Sequence, residues 1–226
     1  MQPYFFPYLG YYQLAAGVDR FVFLDDAAFI TRGFIHRNRI LLDGQPYRFT
    51  LPVARASQHR SIAEHRFAGG FARLLQQLRH GYARAPHFRE VLPLVESAWE
   101  AGGGNVAAAC AASVEAVFAY LGLALPAVRA SALGVDGRGQ ERILALCGHF
   151  GADRYHNAPG GRALYDPDRF RAAGVQLCFV QPRFPAYRQP GAAAFAPGLS
   201  MIDVLMNNPP QAVGAMLAQA RIEVAA

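Results

Sequence analysis

The middle third of the chain carries a helical repeat of apolar residues, and its two flanks do not. Phe71, Leu74, Leu75 and Leu78 recur at spacings of three and four, as do Val91, Leu92, Val95 and Trp99, and then Val106, Cys110, Val114, Val117, Phe118 and Leu121. That period draws one apolar stripe along each of several helices between about residues 61 and 122. The flanks read as strands and shorter helices. Phe21-Val22-Phe23-Leu24 is an apolar run closed by Asp25-Asp26, the pattern of a buried strand. Arg39-Ile40-Leu41-Leu42 and Tyr47-Arg48-Phe49-Thr50-Leu51 flank Asp43-Gly44, a hairpin signal because Asp-Gly tolerates positive φ; Gln45-Pro46 lengthens that turn. Further strands are expected near 127–132, 154–157 and 175–180, a helix over 140–150, and helices near the C-terminus. The expected fold is α/β, with a mixed or parallel sheet, flanking helices and a helical middle segment. One domain is expected over 1–226, its α/β parts at 1–60 and 123–226 and its insertion at about 61–122.

Composition narrows the chemistry. The 226 residues are 53% hydrophobic and 17% charged, enough to bury a sizeable core. No apolar run reaches eighteen residues, and Met1-Gln2-Pro3-Tyr4 has no basic or apolar leader, so a cytoplasmic protein without a membrane span is expected. Three cysteines, far apart and odd in number, point away from a disulfide framework. The net charge is +6, yet every one of the 22 basic residues is arginine. Without lysine there is no Schiff base, no P-loop lysine and no Ser–Lys dyad, and arginine must supply any phosphate clamp. The arginines are spread along the chain, which favours a small anion over nucleic acid. HExxH, GxSxG and zinc-finger spacings are absent.

Four clusters are candidates for a site. Gln2-Pro3-Tyr4-Phe5-Phe6-Pro7-Tyr8-Leu9-Gly10 is an aromatic loop leading to a helix, where Gln2, Tyr8 and Gly10 could meet a base or sugar; an aromatic core plug is the plainer alternative. In the second cluster Asp25, Asp26 and His36 are the candidate catalytic residues. Beside them Arg32, Arg37, Asn38 and Arg39 are candidates for binding. Arg37 and Arg39 share one face of a strand, about 7 Å apart, and could clamp a diphosphate, with Asn38 on the other face. Ordinary surface Asp–Arg pairs are the alternative there. The third cluster, Asn157-Ala158-Pro159-Gly160-Gly161, offers backbone N–H groups to an anion through Asn157, Gly160 and Gly161, or is only a tight turn. In the fourth, Ser200 and Asp203 have capping-box spacing, and Gln189 precedes them on a loop as a further candidate for substrate binding.

These clusters make the chain similar to the WbqC-like family. The likeness is carried by Gln2 to Tyr11, Asp25-Asp26, Arg37-Asn38-Arg39-Ile40-Leu41, Tyr155 to Gly161 and Pro197 to Asp203, and runs to about Gly214. The family pattern has a short apolar strand just before the Gln-Pro motif, and Met1 stands where that strand would end. The resemblance implies a role in bacterial surface-polysaccharide (O-antigen-type) biosynthesis: transfer of an aminoacyl group to the amine of a nucleotide-linked amino sugar. The alternative is a non-catalytic sugar-nucleotide or polysaccharide binding module. Amide formation calls for an activated carboxylate, for example Mg²⁺ with ATP or a thioester donor, and the metal and cofactor stay open.

Overall fold

Two prolines keep the first eight residues out of a helix. Pro3 and Pro7 keep the chain non-helical up to Tyr8, and α1 (Leu9–Ala16) starts on the next residue. The structure, a computed structural model, describes residues 1–225. β1 (Phe21–Phe23) follows as a short apolar strand. β2 (Arg37–Leu42) and β3 (Gln45–Thr50) form an antiparallel hairpin whose turn is Asp43 and Gly44, both at positive φ (49° and 74°). The turn has two residues rather than the longer loop expected, because Gln45 already pairs with Leu42. Pro46 fits in β3 because its partner Leu41 directs its own N–H away from the hairpin, to the Tyr82 hydroxyl at 2.7 Å.

The middle segment holds α2 (Phe71–Tyr82), α3 (Phe88–Ala101) and α4 (Val106–Tyr120). Asn105 caps α4, its side-chain oxygen accepting the Ala108 N–H at 2.9 Å. The remainder alternates: β4 (Ala127–Arg129), α5 (Gly139–Phe150), β5 (Arg154–Asn157), α6 (Pro167–Ala172), β6 (Gln176–Gln181), α7 (Met201–Asn207), α8 (Pro210–Leu217) and β7 (Arg221–Val224). The strand expected over 127–132 is cut short where Ala130–Ala132 winds into a 3₁₀ turn.

β1 pairs with β4 in parallel, and β5 with β6 in parallel; β6 pairs with β7 in antiparallel. The fold is thus α/β with mixed pairing. Apolar side chains gather in two clusters. The larger joins α1, β1, the hairpin, α2 to α4, α7 and α8. The smaller is Ile143, Leu146, Cys147, Phe170, Val175, Leu177 and Phe179, around β5 and β6. All three cysteines are buried and free. Among the described residues no helix is long and apolar enough to cross a membrane.

Candidate functional site

Phe6 is the most constrained residue of the N-terminal loop. It is fully buried and sits at φ 41°, a region that bulky side chains rarely enter. Three distant segments hold it there. Ser113 in α4 accepts the Phe6 N–H at 2.9 Å. The Phe6 carbonyl accepts from Asn38 Nδ2 and from Ser200 Oγ, both at 2.7 Å. Ser200 N–H also bonds the Arg39 carbonyl at 2.8 Å, and Met201 N–H the Pro7 carbonyl at 2.8 Å. Three of the sequence clusters therefore converge on one strained turn. Such strain persists only where the surroundings over-determine it. Here it turns the chain so that Tyr8 emerges half-buried beside Phe184, ring centroids 6.1 Å apart. Burial raises the Tyr8 phenol above its ordinary value, so it stays neutral.

The hairpin lies against this turn. Asn38 faces the core, while Arg39 is exposed and Arg37 half-exposed on the opposite face. The register places Arg48 directly opposite Arg39 and Thr50 opposite Arg37, so Arg48 is a third guanidinium on that face. Among the described residues none of Arg32, Arg37, Arg39 or Arg48 makes an ion pair. Arg37 Nε donates to the Gly33 carbonyl at 2.7 Å, which fixes its stem. Arg32 is exposed on the loop before β2. Arg48 is absent from the candidates drawn from the sequence; the Asp43-Gly44 turn would have paired it with Arg39.

The two aspartates lie side by side after β1, each with a partner. Asp25 is buried and accepts the Ser131 N–H at 3.0 Å and hydroxyl at 2.6 Å. Asp26 forms a bidentate pair with Arg142 of α5, Nη1 to Oδ1 at 2.9 Å. Magnesium would need these oxygens free, and among the described residues no three His, Cys, Asp or Glu side chains converge to hold a metal. The arrangement does not fit Mg²⁺ at Asp25 and Asp26.

His36 is nine-tenths buried and stacks on Phe29, which stacks in turn on His65. Among the described residues its Nδ1 has no partner. Burial, with Arg37 beside it, lowers its pKa to about 4, so the ring is neutral at neutral pH. His65 Nε2 accepts the Ser57 N–H at 3.1 Å, so its Nδ1 carries the proton donated to the Ser61 carbonyl at 2.7 Å.

Other candidates serve the architecture. Asn38 gives its amide to Phe6, and its oxygen accepts the Arg39 N–H at 2.8 Å. Gln189 is buried with both ends of its amide bonded, to Ala196 N–H at 2.8 Å and to Asp203 at 2.9 Å among others. Neither has a polar group left for a ligand. A Cβ on Gly10 would come within 2.5 Å of the Tyr8 ring and 2.7 Å of Pro182, so this glycine lets those rings close over α1. Gly161 does the same for Asn157, whose amide nitrogen would lie 2.6 Å from a Cβ; Gly160 next to it is open. Asn157 Oδ1 accepts the Ala158 N–H at 2.7 Å. Gln2 is half-buried, its Nε2 at 3.4 Å from the Ala28 carbonyl and its Oε1 at 3.4 Å from the Tyr4 hydroxyl. These are long bonds that another acceptor or donor could replace.

Asp203 also departs from its capping-box expectation. Ser200 is the N-cap of α7, but the fully buried Asp203 faces the core. Its carboxylate accepts from the hydroxyls of Tyr82 at 2.6 Å and Tyr187 at 2.5 Å and from Gln189. Burial pushes its pKa up and the three donors pull it back, leaving it above the ordinary value.

An aromatic, proline-bounded loop pinned beneath an arginine-faced hairpin thus defines this α/β molecule. The chain belongs to the WbqC-like protein family, whose sequence model matches residues 2–215. It is 26% identical over 212 residues to the uncharacterized protein Rv1507c of Mycobacterium tuberculosis (strain ATCC 25618 / H37Rv), covering 92% of this chain and 91% of that one. No solved structure matches the chain.

Proposed function

We propose that this protein is a transferase of bacterial surface-polysaccharide biosynthesis that joins an aminoacyl group to the amine of a nucleotide-linked amino sugar. One observation carries the reading: Arg37, Arg39 and Arg48 share one hairpin face without an acidic partner among the described residues. Like charges placed opposite one another repel, and an anionic ligand between them relieves the repulsion. A nucleoside diphosphate supplies such an anion. Tyr8 and Phe184, ring centroids 6.1 Å apart, offer aromatic surface to a sugar or base. In the transfer the sugar amine attacks the activated carboxyl carbon, an N–C bond forms, the activating group leaves, and the amine gives up a proton. His36 is the proposed acceptor of that proton, on the ground that its Nδ1 has no partner among the described residues; its lowered pKa makes it a weak base that must pass the proton on.

The non-catalytic reading, a sugar-nucleotide or polysaccharide binding module, draws on a different observation. Asp25 and Asp26 are both committed to partners within the protein. Thermal stabilisation by nucleotide-linked 4-amino sugars, ATP and acyl-CoA, with and without Mg²⁺, tests the common part, because a ligand specific for the native state raises apparent stability. A shift with an amino-sugar nucleotide that is lost in Arg37→Ala supports the site. Amide product in a turnover assay then favours the transferase, and binding without product favours the module. The absence of a shift with every ligand would refute both.

A further inference from the structure

Asp203 is fully buried in the first turn of α7, and among the described residues no arginine or histidine pairs with it. Three neutral groups donate to it instead. Tyr82 serves Oδ1, while Tyr187 and Gln189 serve Oδ2. The Tyr82 hydroxyl also accepts the Leu41 N–H, so its own proton goes to Asp203. An ionised carboxylate only accepts, which suits a place where every neighbour donates. A polar network with all its members bonded fixes one arrangement of the elements it joins.

The two oxygens reach different parts of the molecule. Through Tyr82, Oδ1 holds Leu41 of β2, on the same strand as Arg39. Oδ2 holds the loop of residues 187–198. Within that loop the Gln189 amide pairs with Ala196 as a strand residue would, donating to its carbonyl at 3.1 Å and accepting its N–H at 2.8 Å. Tyr187 and Phe195 pack edge to face, ring centroids 5.1 Å apart. The loop is closed on itself and latched at Asp203.

The latched loop borders the arginine face. At the hairpin turn Gly44 meets Gly191 so closely that a Cβ on Gly44 would fall 2.0 Å from the Gly191 carbonyl oxygen. A Cβ on Gly198 would lie 3.8 Å from Arg39 Nη2. Just after the loop, Ser200 N–H bonds the Arg39 carbonyl, and the other edge of Ser200 is paired with Tyr8. Ser200 therefore spaces Arg39 from Tyr8 by two inter-strand steps, on the order of 10 Å.

We propose that Asp203 is a positioning residue of the ligand site: it sets the span between the arginine face and the aromatic pair Tyr8 and Phe184, and so selects ligands that match it. The inference rests on the proposed reading of the hairpin as the ligand face. Asp203 acts through Tyr82, Tyr187 and Gln189 rather than by touching the ligand. A small anion that meets only the arginines is indifferent to the span. A nucleotide-linked sugar, with phosphates at one end and a ring at the other, depends on it.

Calorimetric titration of Tyr187→Phe and Asp203→Asn tests this, with inorganic pyrophosphate and a nucleotide-linked 4-amino sugar as the two probes, at one low salt concentration and well below each melting temperature. Tyr187→Phe removes one donor and keeps the ring. Asp203→Asn keeps the shape but sets a donor against donors. The expected result is affinity for the nucleotide sugar weakened about fivefold or more, with affinity for pyrophosphate within about twofold of the wild type. A residue that only stabilised the fold would leave the ratio of the two affinities unchanged. An unchanged ratio in either variant, through no loss or through equal losses, overturns the positioning role and leaves the arginine face standing. Should Asp203→Asn fail to fold, Tyr187→Phe decides alone. A wild type that does not bind the nucleotide sugar overturns the hairpin reading, and this inference with it.

Discussion

Asn38 and Arg39 are neighbours that face opposite ways, and the difference is measurable. Asn38→Ala removes a buried bond to Phe6. The expected cost is about 1–3 kcal/mol of stability in urea unfolding, without a specific effect on ligand affinity in the fraction that is folded. Arg39→Ala should leave stability within about 0.5 kcal/mol and weaken ligand binding. Spacing alone put the two on opposite faces, but it could not say that Asn38 holds a carbonyl thirty-two residues away. His36 gives a pH prediction. Its folded pKa is about 4 against an ordinary 6.5, so between those values the unfolded chain binds more protons. Stability therefore rises with pH across that window and is lost as pH falls from 6.5 toward 4. The contribution is on the order of 1–2 kcal/mol once solvent screening is allowed for. The Met1 amino group acts in the same direction between pH 8 and 5. Urea midpoints at pH 4.5 and 7 should differ less in His36→Phe than in the wild type; an unchanged difference would show that His36 does not contribute.

At the scale of elements, the hairpin joins stability and binding in one place. Arg39 and Arg48 are directly opposed, and Arg48→Glu turns a repulsive cross-strand pair into an attractive one. The hairpin should gain about 0.2–1 kcal/mol in unfolding experiments while affinity for an anionic ligand falls. A variant that loses stability, or binds as before, would remove Arg48 from the site. The long helices were legible because an apolar period near 3.6, sustained over twelve or more residues, is incompatible with the two-residue alternation of a strand. β7 was not. Arg221-Ile222-Glu223-Val224 is exposed throughout, so no buried face marks it in the sequence. Gly10 looked like a place for a ligand to approach the backbone, whereas its neighbours are Tyr8 and Pro182. Gly10→Ala should cost about 1–3 kcal/mol through crowding, read from the thermal midpoint and the calorimetric unfolding enthalpy.

Across the whole molecule, the two apolar clusters differ greatly in size. Asp25 with Ser131, and Asp26 with Arg142, tie the end of β1 to the turn after β4 and to α5. Stability should be uneven in consequence. Amides of β5 and β6 should exchange faster than those of α3 and α4; equal protection would indicate one cooperative unit. The convergence of three separated clusters on the Phe6 turn was beyond the sequence, because side-chain partners more than a hundred residues apart leave no periodic trace. The clusters themselves were visible, and so was the shared face of Arg37 and Arg39, but not Arg48 across the hairpin. Calorimetric titration of a nucleotide-linked 4-amino sugar, at one fixed low salt concentration, into the wild type and Arg39→Ala tests that face most directly. The expected result is saturable binding that weakens about tenfold or more in the variant, the loss of one charge-assisted contact, while the melting temperature without ligand stays the same. Equal affinity in the two proteins, or no binding to the wild type, would contradict the assignment of the hairpin as the ligand site.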